Sequence, residues 1–347
     1  MTQPAPPSKL SRPEIGQCFL LGFRGAEIPQ WIKQFADIYG LGGVILFDFN
    51  CQTKTYDNNI HSPEQLGELC AEIAALPSRP LLFVDQEGGR VRRLKDTKGF
   101  APLPSQQVFN LLAPDEKRRL VDDSFRELAR LGFHYNLAPV IDLNLNPLNP
   151  DIGAVERSYS AEPADIRSNV RILDAAARAA RIGLCLKHFP GLGGATVNSH
   201  DELTDVSNSI SDEQLELFYG LGDTVSGKGI VVSHGIVGQW DEGVPVSMSP
   251  AGIARIRQRL PHALLISDDL QMQGLQKKYP TGLACSMGVR AGLDMLCIGN
   301  NLMPEDEMVL SYAEALSRQT RNDALLADQV RLASARVAKA KAQFSRS

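Results

Sequence analysis

The sequence predicts an α/β fold built as a single (β/α)8 barrel (TIM barrel), and three observations lead there. Short apolar runs rich in β-branched residues recur along the chain, segments of helical periodicity separate them, and polar residues collect at the runs' C-terminal ends. The runs are CFLLGF (18–23), GGVILF (42–47), PLLFVD (80–85), FHYNLAPV (133–140), GLCLKHF (183–189), GIVVSH (229–234), ALLISDD (263–269) and GLDMLCIG (292–299). Each is almost continuously apolar, as a parallel strand covered on both faces must be. Alternation of strand and helix implies crossover connections and hence a parallel sheet. Eight such units in 347 residues fit a barrel with long insertions. A doubly wound open sheet would alternate in the same way. The barrel is favoured because Asp85, His188, His234 and Asp268 fall at or just past the ends of four different strands. In a barrel those ends converge on one mouth, whereas in an open sheet they would lie along a line.

The helical segments follow in order. IPQWIKQFADIYG (28–40) closes on Gly40, and SPEQLGELCAEIAAL (62–76) opens on Ser62. DEKRRLVDDSFRELARLG (115–132) closes on Gly132, and ADIRSNVRILDAAARAARIG (164–183) continues to a terminal glycine. SDEQLELFYGLGDTV (211–225) and SPAGIARIRQRL (249–260) each open on serine. A serine side chain satisfies orphan amides at a helix start, and glycine accepts the left-handed geometry just past a helix end. From Glu305 onward the chain, rich in Ala and Arg, reads as helix throughout. No linker or shift in composition divides it, so one domain over 1–347 is expected, with the Pro-rich, polar residues 1–13 as a flexible tail.

Composition narrows the function classes. A net charge of −4 without basic clusters argues against nucleic acid as a partner. The six cysteines are scattered, with no CxxC pair, and several sit in apolar runs. They read as buried thiols of a reducing compartment. The N-terminus has no apolar signal core, and no run of 18 apolar residues offers a membrane span. A cytoplasmic globular protein without a membrane partner is expected.

Four loops carry candidate chemistry. DQEGGRVRRL (85–94) places Asp85 at a strand end with arginines, Arg93 among them, in one tight turn. A carboxylate can accept from adjacent sugar hydroxyls and a guanidinium presents a fork of donors. An ion pair bracing a βα turn would look the same. GAVERSYS (153–160) offers Arg157 in a loop too long for an ordinary connection, with a surface pair to Glu156 or a nearby acid as the competing reading. ISDDLQMQG (266–274) places Asp268 and Asp269 after a strand, so at most one should face the barrel centre and the other should cap the following helix or bind backbone amides. A lone carboxylate among cations stays ionised, as a nucleophile must. In KHFPGLGGATVNSH (187–200), at least one of Lys187 and His188 should face the mouth, while His200 follows a Gly-rich loop and suits proton transfer near neutral pH. His188, His200, His234, Asp85 and Asp268 could in principle bind zinc. HxH and HExxH spacings are absent and the cationic side chains would repel a metal, so neither metal nor cofactor is expected.

Taken in order, IGQCFLLGF, GLGGVILF, DQEGGRVRRL, FHYNLAPVIDLNLNPLNP, IGAVERSYS, KHFPG, SDDL and GLDML resemble the family-three glycoside hydrolases over most of the chain. The resemblance is to the single-domain bacterial β-N-acetylglucosaminidases of peptidoglycan recycling. It implies a retaining exo-hydrolase, monomeric, acting on a small carbohydrate without a cofactor. Asp268 would be the nucleophile, and Asp85, Arg93, Arg157, Lys187 and His188 the contacts to N-acetylglucosamine hydroxyls. His200 would be the general acid/base, with position 198 its partner. Two departures stand out. Leu192 replaces the second histidine of the family's KHFPGHG, and Asn198 occupies the place of an aspartate in Asp-Ser-His. Asparagine can orient an imidazole but adds no charge, and losing charge assistance weakens such a bond by roughly half. Reduced turnover is therefore expected. Two alternatives remain: a catalytically weakened sugar-binding protein, and a related β-glucosidase or phosphorylase.

Overall fold

The structure, a computed structural model, describes residues 10–199 and 202–344. Its strands are β1 (Phe19–Leu21), β2 (Gly43–Leu46), β3 (Leu81–Val84), β4 (Gln86–Gly88), β5 (Val91–Arg92), β6 (Tyr135–Asn136), β7 (Gly183–Phe189), β8 (Gly229–Val232), β9 (Leu264–Ser267) and β10 (Leu296–Ile298). Strands β4 and β5 form a separate antiparallel hairpin. The other eight pair in parallel in the order β10-β1-β2-β3-β6-β7-β8-β9. Closure runs through residue 295: the Ser267 amide donates to the Met295 carbonyl at 2.9 Å, and the Met295 amide to Leu265 at 3.0 Å. Each of the eight apolar runs contains one barrel strand, so the sheet is the predicted barrel.

Two apolar layers hold it. Inside the barrel, Leu20, Ile45, Phe83, Tyr135, Val231, Ile266 and Met295 form one buried cluster. Phe83 and Tyr135 stack there with ring centroids 5.1 Å apart. The interior has room for Tyr135 because β7 starts on glycine: a Cβ on Gly183 would lie 2.3 Å from the Tyr135 ring. The second layer lies between the strands and the surrounding helices. The helices are α1 (Arg12–Gln17), α2 (Gln30–Tyr39), α3 (Pro63–Ala74), α4 (Gln106–Leu111), α5 (Pro114–Leu131), α6 (Pro163–Ala180), α7 (Asp212–Gly222), α8 (Pro250–Arg259), α9 (Gln273–Gln276), α10 (Thr281–Ala291), α11 (Met308–Gln319) and α12 (Ala324–Phe344). The serine caps act as expected: Ser62, Ser211 and Ser249 accept the amides of Gln65, Gln214 and Gly252. Gly132 ends α5 at φ +89°.

Three expectations need correction. Helix α1 begins inside the supposed 1–13 tail, because Ser11 and Glu14 make a reciprocal capping box. The C-terminal helix is not continuous. It stops at Gln319 and restarts at Ala324, where the Asp323 carboxylate accepts the Leu326 amide at 3.0 Å. Helix α10 has no counterpart among the periodic segments. It is buried on most sides, through Ala284, Cys285, Ser286, Gly288, Val289 and Ala291, so no polar stripe marks it.

Helix α12 covers the N-terminal end of the barrel. Val337 and Ala340 join the interior cluster, and the Phe344 ring meets those of Tyr135 and His134 at 5.3 and 5.1 Å. Lys341 Nζ donates to the Leu41 and Ser78 carbonyls at 2.8 and 3.0 Å. All six cysteines are free thiols. Among the described residues no helix is long and apolar enough to cross a membrane.

Candidate active site

At the C-terminal mouth the strands and their loops enclose a cavity of about 210 Å³. Its depth is lined by barrel side chains Ile45, Leu137, Val231 and Cys297, and Phe47, Phe49 and Leu302 add apolar wall. The polar part is built strand by strand. Asp85 follows β3 directly, and the β4–β5 hairpin folds the chain back so that Arg93 Nη2 reaches Asp85 Oδ2 at 3.1 Å. That turn depends on Gly88 at φ +112°, where a Cβ would lie 2.1 Å from the Pro104 carbonyl oxygen. From β7, Lys187 Nζ lies 2.7 Å from Asp85 Oδ1 and 2.6 Å from Glu87 Oε1. Arg157 grips Glu87 with both edges of its fork, Nε to Oε2 and Nη2 to Oε1, each at 2.8 Å.

The result is a chain of alternating charge that continues at both ends. Arg93 also approaches the buried Asp48 carboxylate at 3.7 Å. Arg157 Nη2 lies 3.0 Å from His188 Nε2, and His188 Nδ1 lies 2.7 Å from Asp142 Oδ2. A guanidinium only donates, so Nε2 accepts and Nδ1 carries the hydrogen given to Asp142. Burial pushes Asp85 and Glu87 toward neutrality, but the cations beside them win. Lys187 and Arg93 hold Asp85 well below the usual carboxylate range, and Arg157 and Lys187 bring Glu87 to about 2. Arg157 in turn is raised, because Glu87 outweighs its desolvation.

Asp268 and Asp269 both follow the end of β9 at Ser267 and both touch this cavity, and they divide as expected, with Asp269 turned to backbone amides. The Asp268 backbone is still anchored, its amide donating to Val232 at 2.9 Å and its Oδ1 accepting from the Asp269 amide at 2.9 Å. Asp269 also plays the expected backbone-binding part, accepting the Gln271 and Gly299 amides. Burial, helped by the nearby carboxylates of Asp268 and Asp85, pushes its carboxyl up to about 7. His234 spans Ser247 Oγ at 2.7 Å and the Asp269 carbonyl at 3.1 Å, so it braces the backbone of the aspartate pair.

In the 187–200 stretch both Lys187 and His188 line the cavity, where the pairing of β7 with β8 slips register between Leu186 and Phe189. Leu192 is buried on the cavity wall and gives its amide to Asp142 Oδ1 at 2.9 Å. Gly193 lets the loop touch the 141–160 segment: a Cβ there would lie 1.7 Å from the Leu143 carbonyl oxygen. The Asn198 carbonyl accepts the Glu202 amide at 3.0 Å, and Ser199 reaches the cavity wall. His200, the expected acid/base, lies outside the described residues. Arg157 does not pair with Glu156, which instead accepts the Ser105 hydroxyl at 2.7 Å. Among the described residues no group of three His, Cys, Asp or Glu side chains is arranged to hold a metal.

Three residues of this centre were not singled out from the sequence. Glu87 stands two residues after Asp85, a spacing that puts two side chains on one side of an extended segment. Asp142 ends the apolar run after β6 and carries no mark beyond that position. Asp151 carries none at all.

The chain matches the model of the glycosyl hydrolase family 3 N-terminal domain over residues 12–340. It is 32% identical over 296 residues to a β-hexosaminidase of Alkalilimnicola ehrlichii, covering 81% of this chain and 80% of that one. With a β-hexosaminidase of Xanthomonas campestris pv. campestris it shares 30% identity over 325 residues, 88% of this chain and 90% of the relative. The crystal structure of a β-N-acetylhexosaminidase from Beutenbergia cavernae superposes with a TM-score of 0.81, covering 96% of this chain and 99% of that one at 23% identity. At that identity the likeness is one of fold.

Proposed function

The chain belongs to glycosyl hydrolase family 3, and from that premise we propose that this glycoside hydrolase is a retaining exo-β-N-acetylglucosaminidase. The observation that carries the reading is a cavity of about 210 Å³ in which Asp268 shares the walls with the Asp85–Lys187–Glu87–Arg157 charge chain. Such a space suits one sugar ring at the end of a chain. Asp85, Arg93, Arg157 and Lys187 offer acceptors and donors to its hydroxyls. His188 has both ring nitrogens engaged, so it acts on the sugar mainly by orienting Arg157.

The mechanism has two steps. Asp268 attacks the anomeric carbon, the glycosidic bond breaks, and His200 gives its proton to the departing oxygen. A water then attacks the glycosyl–Asp268 ester while His200 takes the water's proton, releasing the sugar and restoring both residues. With N-acetylglucosamine held in this way, muropeptide-derived sugars become the physiological substrates, met in the cytoplasm by a monomer that needs no cofactor. Replacing Asp268 by Asn should lower kcat on an aryl β-N-acetylglucosaminide by at least about a thousandfold. Wild-type rates in that variant would remove the mechanism.

Asn198 supports a second reading, a sugar-binding protein of reduced turnover, since it supplies no charge to the imidazole. Calorimetric binding of N-acetylglucosamine by a wild-type protein that hydrolyses no aryl glycoside would select it. Assay with and without phosphate, on glucoside and N-acetylglucosaminide, separates the hydrolase from a phosphorylase or β-glucosidase.

A further inference from the structure

At one end the charge chain stops at Asp48, a residue outside the cavity lining. Phe47 and Asp48 follow β2, and the segment they open is tied back on itself. The Phe47 amide donates to Asn59 Oδ1 and the Asn59 amide to the Phe47 carbonyl, each at 2.9 Å. The Asn58 amide donates to the Asp48 carbonyl at 3.3 Å. Both asparagines are fully buried, so Asp48 stands on fixed backbone. Its carboxylate is 1% exposed, and neither oxygen accepts a hydrogen bond among the described residues. Cations stand there instead: Arg93 Nη1 lies 3.7 Å from Oδ1 and Lys95 Nζ 3.3 Å from Oδ2. A buried carboxylate without donors is costly, so it persists by the charges beside it.

We infer that Asp48 is a positioning residue for sugar binding: it holds the Arg93 guanidinium in its binding orientation and leaves Asp85 open to hydroxyls. The inference rests on the reading of Arg93 and Asp85 as sugar contacts. Arg93 is fixed from three directions. Its Nη2 reaches Asp85 Oδ2 at 3.1 Å, its guanidinium carbon lies 5.4 Å from the centre of the Phe47 ring, and its Nη1 faces Asp48. Each terminal nitrogen of the planar fork thus has its own carboxylate, with an aromatic ring against the group. Along the chain Asp48, Asp85 and Glu87 answer Arg93, Lys187 and Arg157, three charges against three. Without Asp48, Arg93 would depend on Asp85, and a sugar hydroxyl would compete with it for the Asp85 oxygens. Lys95 has other partners of its own, the Arg92 carbonyl at 3.0 Å and the Tyr56 ring at 5.0 Å.

The test compares wild type, Asp48→Asn, Lys95→Met, Arg93→Gln and the double variant Asp48→Asn/Arg93→Gln. Calorimetry gives the Kd for N-acetylglucosamine, and an aryl β-N-acetylglucosaminide gives kcat and KM. Asp48→Asn keeps the shape of the side chain and removes its charge. Its Kd and KM should rise about tenfold while kcat stays within about threefold, the signature of binding that ground and transition states share. In the Arg93→Gln background the same change should add less than about twofold, because no guanidinium is left to hold. Lys95→Met should keep Kd within about twofold of wild type, since Arg93 retains both carboxylates. An unchanged Kd in Asp48→Asn, an effect that persists undiminished in the double variant, an equal effect of Lys95→Met, or failure of Asp48→Asn to fold would each overturn the positioning role. None of these touches the hydrolase reading. A wild type that binds the sugar without turnover would remove the hydrolase reading alone, and the Kd comparison would still decide the role of Asp48. A wild type that does not bind the sugar would overturn both.

Discussion

Glu87 matters to stability because two buried cations depend on it. It is buried, receives the Arg157 fork and lies 2.6 Å from Lys187. Replacing it by Gln leaves buried positive charge uncompensated, and such changes cost about 3–5 kcal/mol. Urea unfolding at pH 7 should show that loss, whereas Asp268→Asn should change stability far less. The sign of the pH dependence follows from the depressed folded value of about 2 for Glu87. Its contribution is present above the usual carboxylate range and is lost as pH falls from about 4.5 toward 2. Asp269 behaves oppositely. Its folded carboxyl keeps a proton to about pH 7, while in the unfolded chain it ionises near 4, so stability declines as pH rises between those values. Asp269→Asn, which retains an acceptor for the Gln271 and Gly299 amides, should flatten that decline in unfolding midpoints measured from pH 4 to 7. An unaltered slope would mean Asp269 titrates as an ordinary aspartate.

At the scale of elements, the close contact between two loops decides activity more than stability. Gly193 has no space for a side chain against Leu143, and its carbonyl holds the Asn146 amide at 3.0 Å. Gly193→Ala should push the 190–199 loop off its tethers and lower kcat at least about tenfold, with only about 1–3 kcal/mol lost in unfolding. Equal damage to both would place the loop in the folding core instead. What the sequence made legible sorts along the same line. Barrel strands were readable because a strand covered on both faces must be nearly continuously apolar, and the eight runs stood out by that mark despite polar residues such as Asn136 and Lys187. Helix α10 was hidden because burial on most sides erases the stripe that marks an amphipathic helix. The ion pairs were invisible for another reason. Arg157 meets Glu87 across 70 residues and His188 meets Asp142 across 46, and no local pattern encodes a partner so distant. Individual members such as Asp85, Lys187 and Arg157 could be picked out by residue type and strand-end position, but their pairing came only from the closed barrel.

For the whole molecule, the proposed exo-hydrolysis makes a prediction about the product. The cavity of about 210 Å³ at the barrel mouth, lined by Ile45, Leu137, Val231 and Cys297, would then take one terminal sugar ring at a time. A β-linked N-acetylglucosamine tetramer should therefore release monosaccharide from one end and trimer as the first large product, as read by chromatography. Dimer accumulating as fast as monomer would contradict that geometry. The other end of the barrel is shut by α12, whose Val337, Ala340 and Phe344 complete the interior around Tyr135. This closure has a consequence for biosynthesis. Strand β1 pairs with β10, 277 residues later (Phe19 with Leu296), and the barrel floor is sealed by side chains between 337 and 344 that leave the ribosome later still. The nascent polypeptide thus carries Leu20, Phe83 and Tyr135 without their final cover for most of translation, and helper proteins that bind exposed apolar segments have that whole interval in which to act.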